Sequence, residues 1–353
     1  MQIQDNYICE DQQQSQKDDK SIDQTFKSYH QKFGINPWKI IIYYKSNFIT
    51  DNGIEIMKKH IYKYDELSLL ILDFEENKIT QAGLKMLLQL PKNLKNLTKY
   101  FLSLKSNKFE FDYLNSYTQD QKKKLNFNQK TNLSFLQLDF SQNKLDTNSI
   151  KYIGQIIKSS TKLKEISLNM EDTDLSKENI DIFENEVFFS KQLEAIELIF
   201  GLNNMTGDGI EKICNPIKTC CELKQIHIDL HHNIIGDDGI KHLFSYLSQL
   251  KNLSYLKVNL ENNMITNNGA DIIGKLFKEQ SSLLHVDIIL RNNLIDYHGA
   301  KMLSKSIKLN NKIRFIKLNL SDFNISKEEK IQLSMLIQKS KRLIQTPKVF
   351  LQI

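Results

Sequence analysis

Four stretches of the chain decide its fold: LEAIELIFGLNNMTGDG (193–209), LKQIHIDLHHNIIGDDG (223–239), LSYLKVNLENNMITNNG (253–269) and LLHVDIILRNNLIDYHG (283–299). They recur at a spacing of 30 residues. Counting from the leading leucine, the third, fifth and seventh offsets are apolar throughout, as in Ile226, Ile228 and Leu230. Such alternation is the mark of a strand with one buried face. Asn203, Asn233, Asn263 and Asn293 follow at the tenth offset, and Gly209, Gly239, Gly269 and Gly299 at the sixteenth. An apolar pattern at helical spacing comes next, for example Ile240, Leu243, Leu247 and Leu250. Each block therefore reads as strand, turn and helix.

A tight turn out of a parallel strand points backbone groups inward, and a buried carboxamide can both donate to and accept from them. Leaving such groups unpaired costs roughly 1–3 kcal/mol each. The expected asparagine ladder comprises Asn47, Asn77, Asn107, Asn143, Asn203, Asn233, Asn263 and Asn293. The glycine falls in the first helical turn, where a missing side chain permits close packing or relieves the backbone.

These recurring marks resemble leucine-rich repeats, and the 30-residue unit with its long helix is similar to the ribonuclease-inhibitor subfamily. The block begins Leu-x-x-Ile-x-Leu-x-Leu-x-x-Asn, longer by a residue pair than the usual repeat. The resemblance implies an α/β leucine-rich-repeat solenoid, a horseshoe with a parallel sheet on its concave face and helices on its convex face. It also implies a small buried side chain at Cys221.

Working outward, the register extends in both directions. Strand-bearing blocks start at 37, 67, 97, 133, 163, 193, 223, 253, 283 and 313, giving about ten units. The array is expected over 37–340, with an insertion near 115–130 that contains Lys122, Lys123 and Lys124. Thr173 and Asn179 replace the asparagine and glycine in one block, and Phe323 and Glu329 do so in the last. Residues 1–20 are polar and read as a disordered tail. Ile22, Phe26, Tyr29 and Phe33 then recur at helical spacing, so 21–36 reads as an N-terminal cap helix. Residues 341–353, which include Pro347, read as a C-terminal cap or tail.

A length of 353 residues is no obstacle to one elongated domain, because each repeat contacts only its neighbours. Lysine and arginine number 48 against 42 acidic residues, a mild excess of +6 that points to no partner class. Cys9, Cys214, Cys220 and Cys221 lack zinc-type spacing, and the reading is of reduced packing thiols in an intracellular, cytoplasmic setting. The first residues lack a secretory apolar run, and no stretch approaches the ~20 apolar residues of a membrane span. Nothing in the sequence points to a homo-oligomer.

Catalysis is not expected. Gly269 to Lys275 spells Gly-x-x-x-x-Gly-Lys, but Leu276 stands where a phosphate loop needs Ser or Thr. Kinase signatures and a Gly-x-Ser-x-Gly elbow are absent from the sequence. His227, Asp229 and His231 alternate along one strand, about 6–7 Å apart, a spacing marginal for sharing one ion, and neither metal nor cofactor is expected.

Function is instead sought at the second, fourth, sixth and eighth offsets, whose side chains face away from the core. The candidate partner-binding residues are Asp139, Glu165, Asn169, Glu171, Glu197, His227, Asp229, His231, Tyr255, Lys257, Asp287 and Phe315. An acidic centre flanked by lysines suits a protein partner with a basic surface and repels a nucleic-acid backbone. The expectation is a non-enzymatic scaffold, adaptor or subunit of a larger assembly. The alternative is a GTPase-activating regulator of a small GTPase, because activators of Ran use repeats of the same subfamily; their acidic C-terminal tail is absent here.

Overall fold

The computed structural model describes residues 7–10, 17–33, 36–107, 109, 129–310, 312–321, 326, 328–329, 331–333 and 349–352. The insertion at 115–128 with its lysine triplet, and Phe323, lie outside them. The chain divides into two compact units, residues 1–174 with 185–192, and residues 175–184 with 193–353.

In the first unit, β1 (Tyr7–Glu10), β2 (Lys39–Tyr43), β3 (Leu69–Asp73), β4 (Lys99–Ser103), β5 (Phe135–Asp139) and β6 (Glu165–Asn169) pair in sequence order, all parallel. Between them run α1 (Asp19–Phe33), α2 (Asp51–Ile61), α3 (Gln81–Asn93) and α4 (Thr147–Ser159). In the second unit β7 (Ala195–Ile199), β8 (Gln225–Asp229), β9 (Tyr255–Asn259), β10 (His285–Ile289), β11 (Phe315–Asn319) and β12 (Val349–Gln352) follow the same rule. Helix α5 (Lys177–Glu186) precedes this set, and α6 (Gly207–Cys214), α7 (Gly236–Ser248), α8 (Asn267–Glu279) and α9 (Tyr297–Leu309) alternate with it. The fold is an α/β leucine-rich-repeat solenoid.

Register keeps every unit in phase: Ile226 lies beside Ile196 and Leu256, and Ile228 beside Leu198 and Val258. All six are buried, as are the leading leucines Leu193, Leu223 and Leu253. Removing one such leucine from water contributes roughly 1.5–3 kcal/mol. Helices α2, α3, α8 and α4 start on side-chain caps, Thr50, Thr80 and Thr266 accepting from the second backbone N–H beyond them and Asp146 from the third.

The structure differs from the sequence reading at the N-terminal end, and at the C-terminal end it gives the expected cap or tail region a strand. Tyr7–Glu10 is not a tail but a strand beside β2, and Val349–Gln352 is a strand beside β11. Each occupies an edge whose unpaired backbone groups would otherwise template any extended chain. Helix α1 starts at Asp19, earlier than the expected 21, and buries Ile22, Phe26 and Tyr29. It is fastened to α2 by Phe26 stacked on His60 at 4.9 Å and by Asp23 bonded to the same ring at 2.9 Å. The burial implied for Cys221 does not hold: Cys221 is exposed, and Cys220 and Cys214 are the buried thiols.

Candidate functional site

The turns place the site, so the carboxamides come first. Asn233 Nδ2 donates to the carbonyls of Phe200 and Leu230 at 3.0 and 2.9 Å, while its Oδ1 accepts from the backbone of Met205 at 2.8 Å and Asn203 at 3.2 Å. Asn293 repeats this two units on, with Leu260, Leu290, Ile265 and Asn263. Asn77 and Asn107 each bridge two units in the same way, through Tyr44 and Ile49, and through Phe74 and Ile79. Asn47 accepts from Lys17 and donates to Lys45; Asn143 donates to Leu104 and Phe140; Asn203 donates to Phe200 and Gly201. Asn263 donates to Leu230 and Glu261, but its buried Oδ1 has no partner. The turn feeding it is altered: Gly236 holds φ +61°, a left-handed angle that favours glycine, and its N–H is spent on the carbonyl of Asn263.

A second ladder runs through the helix starts and is absent from the sequence reading. Asp51 accepts from the backbone N–H of Thr80 at 2.9 Å, Asp237 from that of Thr266 at 2.8 Å, and Asn267 from that of Asp296 at 3.1 Å. The signal that could have revealed it is the recurrence of Asp or Asn two residues before the repeat glycine.

On the solvent face of the sheet every expected site residue is exposed or half-buried and none belongs to the core. At the sixth offset, Asp73, Asp139, Asn169, Asp229, Asn259 and Asn319 each accept from the backbone N–H two residues on, at 2.9–3.2 Å. This Asx turn ends the strand. Asp139, Asn169 and Asp229 therefore shape the loop as well as lining the face.

In the first unit, Glu165 is exposed and Glu171 half-buried. Glu75 lies between Lys45 at 3.0 Å and Lys105 at 3.8 Å, and Phe101 stacks on Phe135 at 4.6 Å. Burial pushes the Asp73 carboxyl above its ordinary range.

In the second unit the acidic positions are interleaved with imidazoles. Glu197 is 2.5 Å from His227 Nδ1. Asp229 takes His231 Nδ1 at 2.7 Å and Asn259 Nδ2 at 3.1 Å. Burial raises the Asp229 pKa, but the hydrogen bonds from the His231 ring, the His231 backbone and Asn259 together hold it below the ordinary value. The His231 ring lies over Gly201, where a Cβ would fall 2.2 Å from its Cε1. Farther along, Asp287 faces Lys317 at 3.6 Å, and His285 stacks between Tyr255 at 4.9 Å and Phe315 at 4.0 Å. Lys257 lies beside His227 and Asp287 in the cross-strand register. Among the described residues no group of three or more His, Cys, Asp and Glu is placed to hold a metal ion. Nor is any described helix long and apolar enough to cross a membrane.

No family model matches the chain. No curated protein matches it either. Solved structures do. A crystal structure of the Rad7 and Elc1 complex in yeast matches at 15% identity and TM-score 0.48, over 90% of this chain and 70% of that one. An internalin C2 from Listeria monocytogenes matches at 15% identity and TM-score 0.36, over 84% and 83%. The Toll–Spatzle complex of Drosophila matches at 13% identity and TM-score 0.31, over 92% and 45%. At such identities the likeness is one of fold, and nothing about this chain's partner follows from it.

Proposed function

We propose that the chain is a non-enzymatic protein-binding module, a scaffold or a subunit of a larger assembly, that takes basic protein surfaces on the solvent faces of the strands in each unit. We further place its 30-residue units with the ribonuclease-inhibitor subfamily of leucine-rich repeats. The observation that carries the binding role is the division of labour among acidic positions. The sixth-offset carboxylates Asp139 and Asp229 accept turn hydrogen bonds. The side chains of Glu165 on β6 and Glu197 on β7 accept no such turn bond, Glu197 being held instead at 2.5 Å from His227 Nδ1, while Glu171 stands in the turn after β6 and gives its backbone N–H to Asn169. Such rim-type charges act chiefly through association rate and specificity, and are weakened by salt.

Binding of this kind is salt-sensitive and requires the glutamates. Capture of the partner by the full chain is compared with capture by Glu165→Lys/Glu197→Lys at low and physiological salt. The reading requires the variant to lose the partner; equal capture by both proteins overturns the site. Cys214, Cys220 and Cys221, none of them in a disulfide, suit a reducing, cytoplasmic setting.

A further inference from the structure

We infer that the stacked turns of the second unit form a docking site for a partner segment that sets aliphatic or aromatic side chains between lysines or arginines. The inference rests on the reading of the chain as a protein-binding module but uses none of the glutamates proposed for the strand face. One residue past the ladder asparagines stand Ile234, Met264 and Leu294, exposed at 47%, 58% and 66%. Their turns follow β8, β9 and β10, which pair in order about 4.8 Å apart, so the apolar row spans about 10 Å. Leu202, 43% exposed, stands in the turn before them.

The fold has no use for these side chains. Backbone N–H groups of Ile234 and Leu294 donate to the carbonyls of Met205 and Ile265 at 2.8 and 2.7 Å, so the main chain holds those turns. Met264 has φ +59° and Leu202 φ +58°, the left-handed region that Asn and Asp enter at less cost than an apolar residue. Asn204, one residue past its own ladder asparagine like Met264, has φ +52°. Among the described residues every other non-glycine residue with positive φ is polar. An exposed methionine in a conformation that suits asparagine strains the backbone without burial in return, which points to a contact surface.

Charge decides what sits there. The turns and helix starts at 201–209, 231–239, 261–269 and 291–299 carry five carboxylates, Asp208, Asp237, Asp238, Glu261 and Asp296, and no lysine. Their one arginine, Arg291, faces Glu261 at 3.7 Å. Asp237 is engaged with Thr266 and Asp296 caps its own helix, whereas Asp208 and Asp238 are exposed in the first turns of α6 and α7. His231 and His232 are bonded to Asp229 and Asn262. The neighbouring rows do not reverse the sign. One helical turn on, Glu211 and Asp271 stand against Lys241 and Lys301; toward the strands, Glu197, Asp229 and Asp287 stand against Lys257 and Lys317. A segment bearing lysine or arginine complements this frame, and an acidic segment, a nucleic-acid backbone or an anionic lipid is repelled by it.

The test is selection of a displayed library of random peptides on the full chain, the enriched peptides then being titrated onto Met264→Asn, Asp208→Lys/Asp238→Lys and Glu165→Lys/Glu197→Lys. Met264→Asn decides most, because it removes the anchor while easing the backbone. The inference requires enriched peptides to carry lysine or arginine beside aliphatic or aromatic residues. They must bind Met264→Asn and the aspartate variant about tenfold or more weakly, and the glutamate variant as they bind the native chain. Met264→Asn must also melt no lower than the native chain; a lower midpoint makes Met264 a residue of the fold and overturns the inference. So does an empty selection, enrichment of acidic peptides, or binding that Met264→Asn leaves unchanged. Retention on phosphatidylcholine vesicles or self-association in sedimentation, if either is lost on Met264→Asn, overturns it in favour of a membrane or a second copy. Because the glutamate variant leaves the turns intact, failure here and failure of the strand-face reading are told apart.

Discussion

A Cβ on Gly83 would lie 2.4 Å from Oδ1 of Asp51, the carboxylate that receives the backbone N–H of Thr80 at the start of the next helix. The same relation joins Gly269 to Asp237 and Gly299 to Asn267. The repeat glycine is thus a space for the acceptor of the preceding unit. Gly209 is different, since its Cβ would meet Ile180 at an ordinary 3.4 Å.

Gly83→Ala is expected to lower stability by about 1–3 kcal/mol through forced displacement of Asp51 and of Ile79, whose Cγ2 the new Cβ would meet at 2.5 Å. Gly209→Ala should leave the unfolding midpoint within about 1 kcal/mol of the native chain, because helix propensity favours alanine and no atom must move. Denaturant melts of the two variants read the contrast; equal losses would refute the close approach of Asp51 and Ile79 to Gly83.

The asparagines should not be equivalent. Asn233→Ala strands the backbone donors of Met205 and Asn203 as well as the carbonyls of Phe200 and Leu230, a loss of about 2–4 kcal/mol. Asn263→Ala removes no Oδ1 acceptor in use and should cost less. Thermal unfolding of both variants decides the order.

Much of this was legible in the sequence because the cause and the mark sit in one unit. The apolar alternation around Ile226 and the helical run from Ile240 declare strand and helix locally. Asp51 and Asp237 were missed because their acceptors serve residues about thirty positions on, so no single window contains both partners. Asp139, Asn169 and Asp229 were read purely as face residues because an Asx turn and a binding carboxylate look alike until the backbone N–H two residues on is seen to point back. The β1 strand escaped for a further reason: Tyr7–Glu10 pairs because β2 offers an open edge, which local polarity does not reveal.

Stability should respond to pH in opposite senses at Asp229 and Asp73. The folded pKa of Asp229 is depressed, so its contribution is present above the unfolded value and is lost as pH falls through the folded one. Asp229→Asn should therefore be less stable than the native chain at neutral pH, the gap closing below about pH 4. The folded pKa of Asp73 is raised, chiefly by burial, so its ionisation opposes folding at neutral pH. Asp73→Asn should be the more stable protein at neutral pH, and acid should erase that advantage. Unfolding midpoints across the acid range measure both.

Thiol reactivity should separate neighbours in sequence. Burial pushes Cys214 up to about 12 and Cys220 up to about 11, whereas Cys221 is exposed. Brief alkylation of the native chain at mildly alkaline pH, read by peptide mass spectrometry, should modify Cys221 first and reach Cys214 and Cys220 only on unfolding.

The central claim, that a partner sits on the solvent face of the sheet through its glutamates, is tested most directly by carboxyl-group footprinting of the full chain, free and with its captured partner. The account predicts loss of labelling at Glu165 on β6 and Glu197 on β7, with Glu178 on α5 and Glu211 on α6 labelled as in the free chain. Protection confined to the helix carboxylates, with Glu165 and Glu197 still labelled, would contradict it.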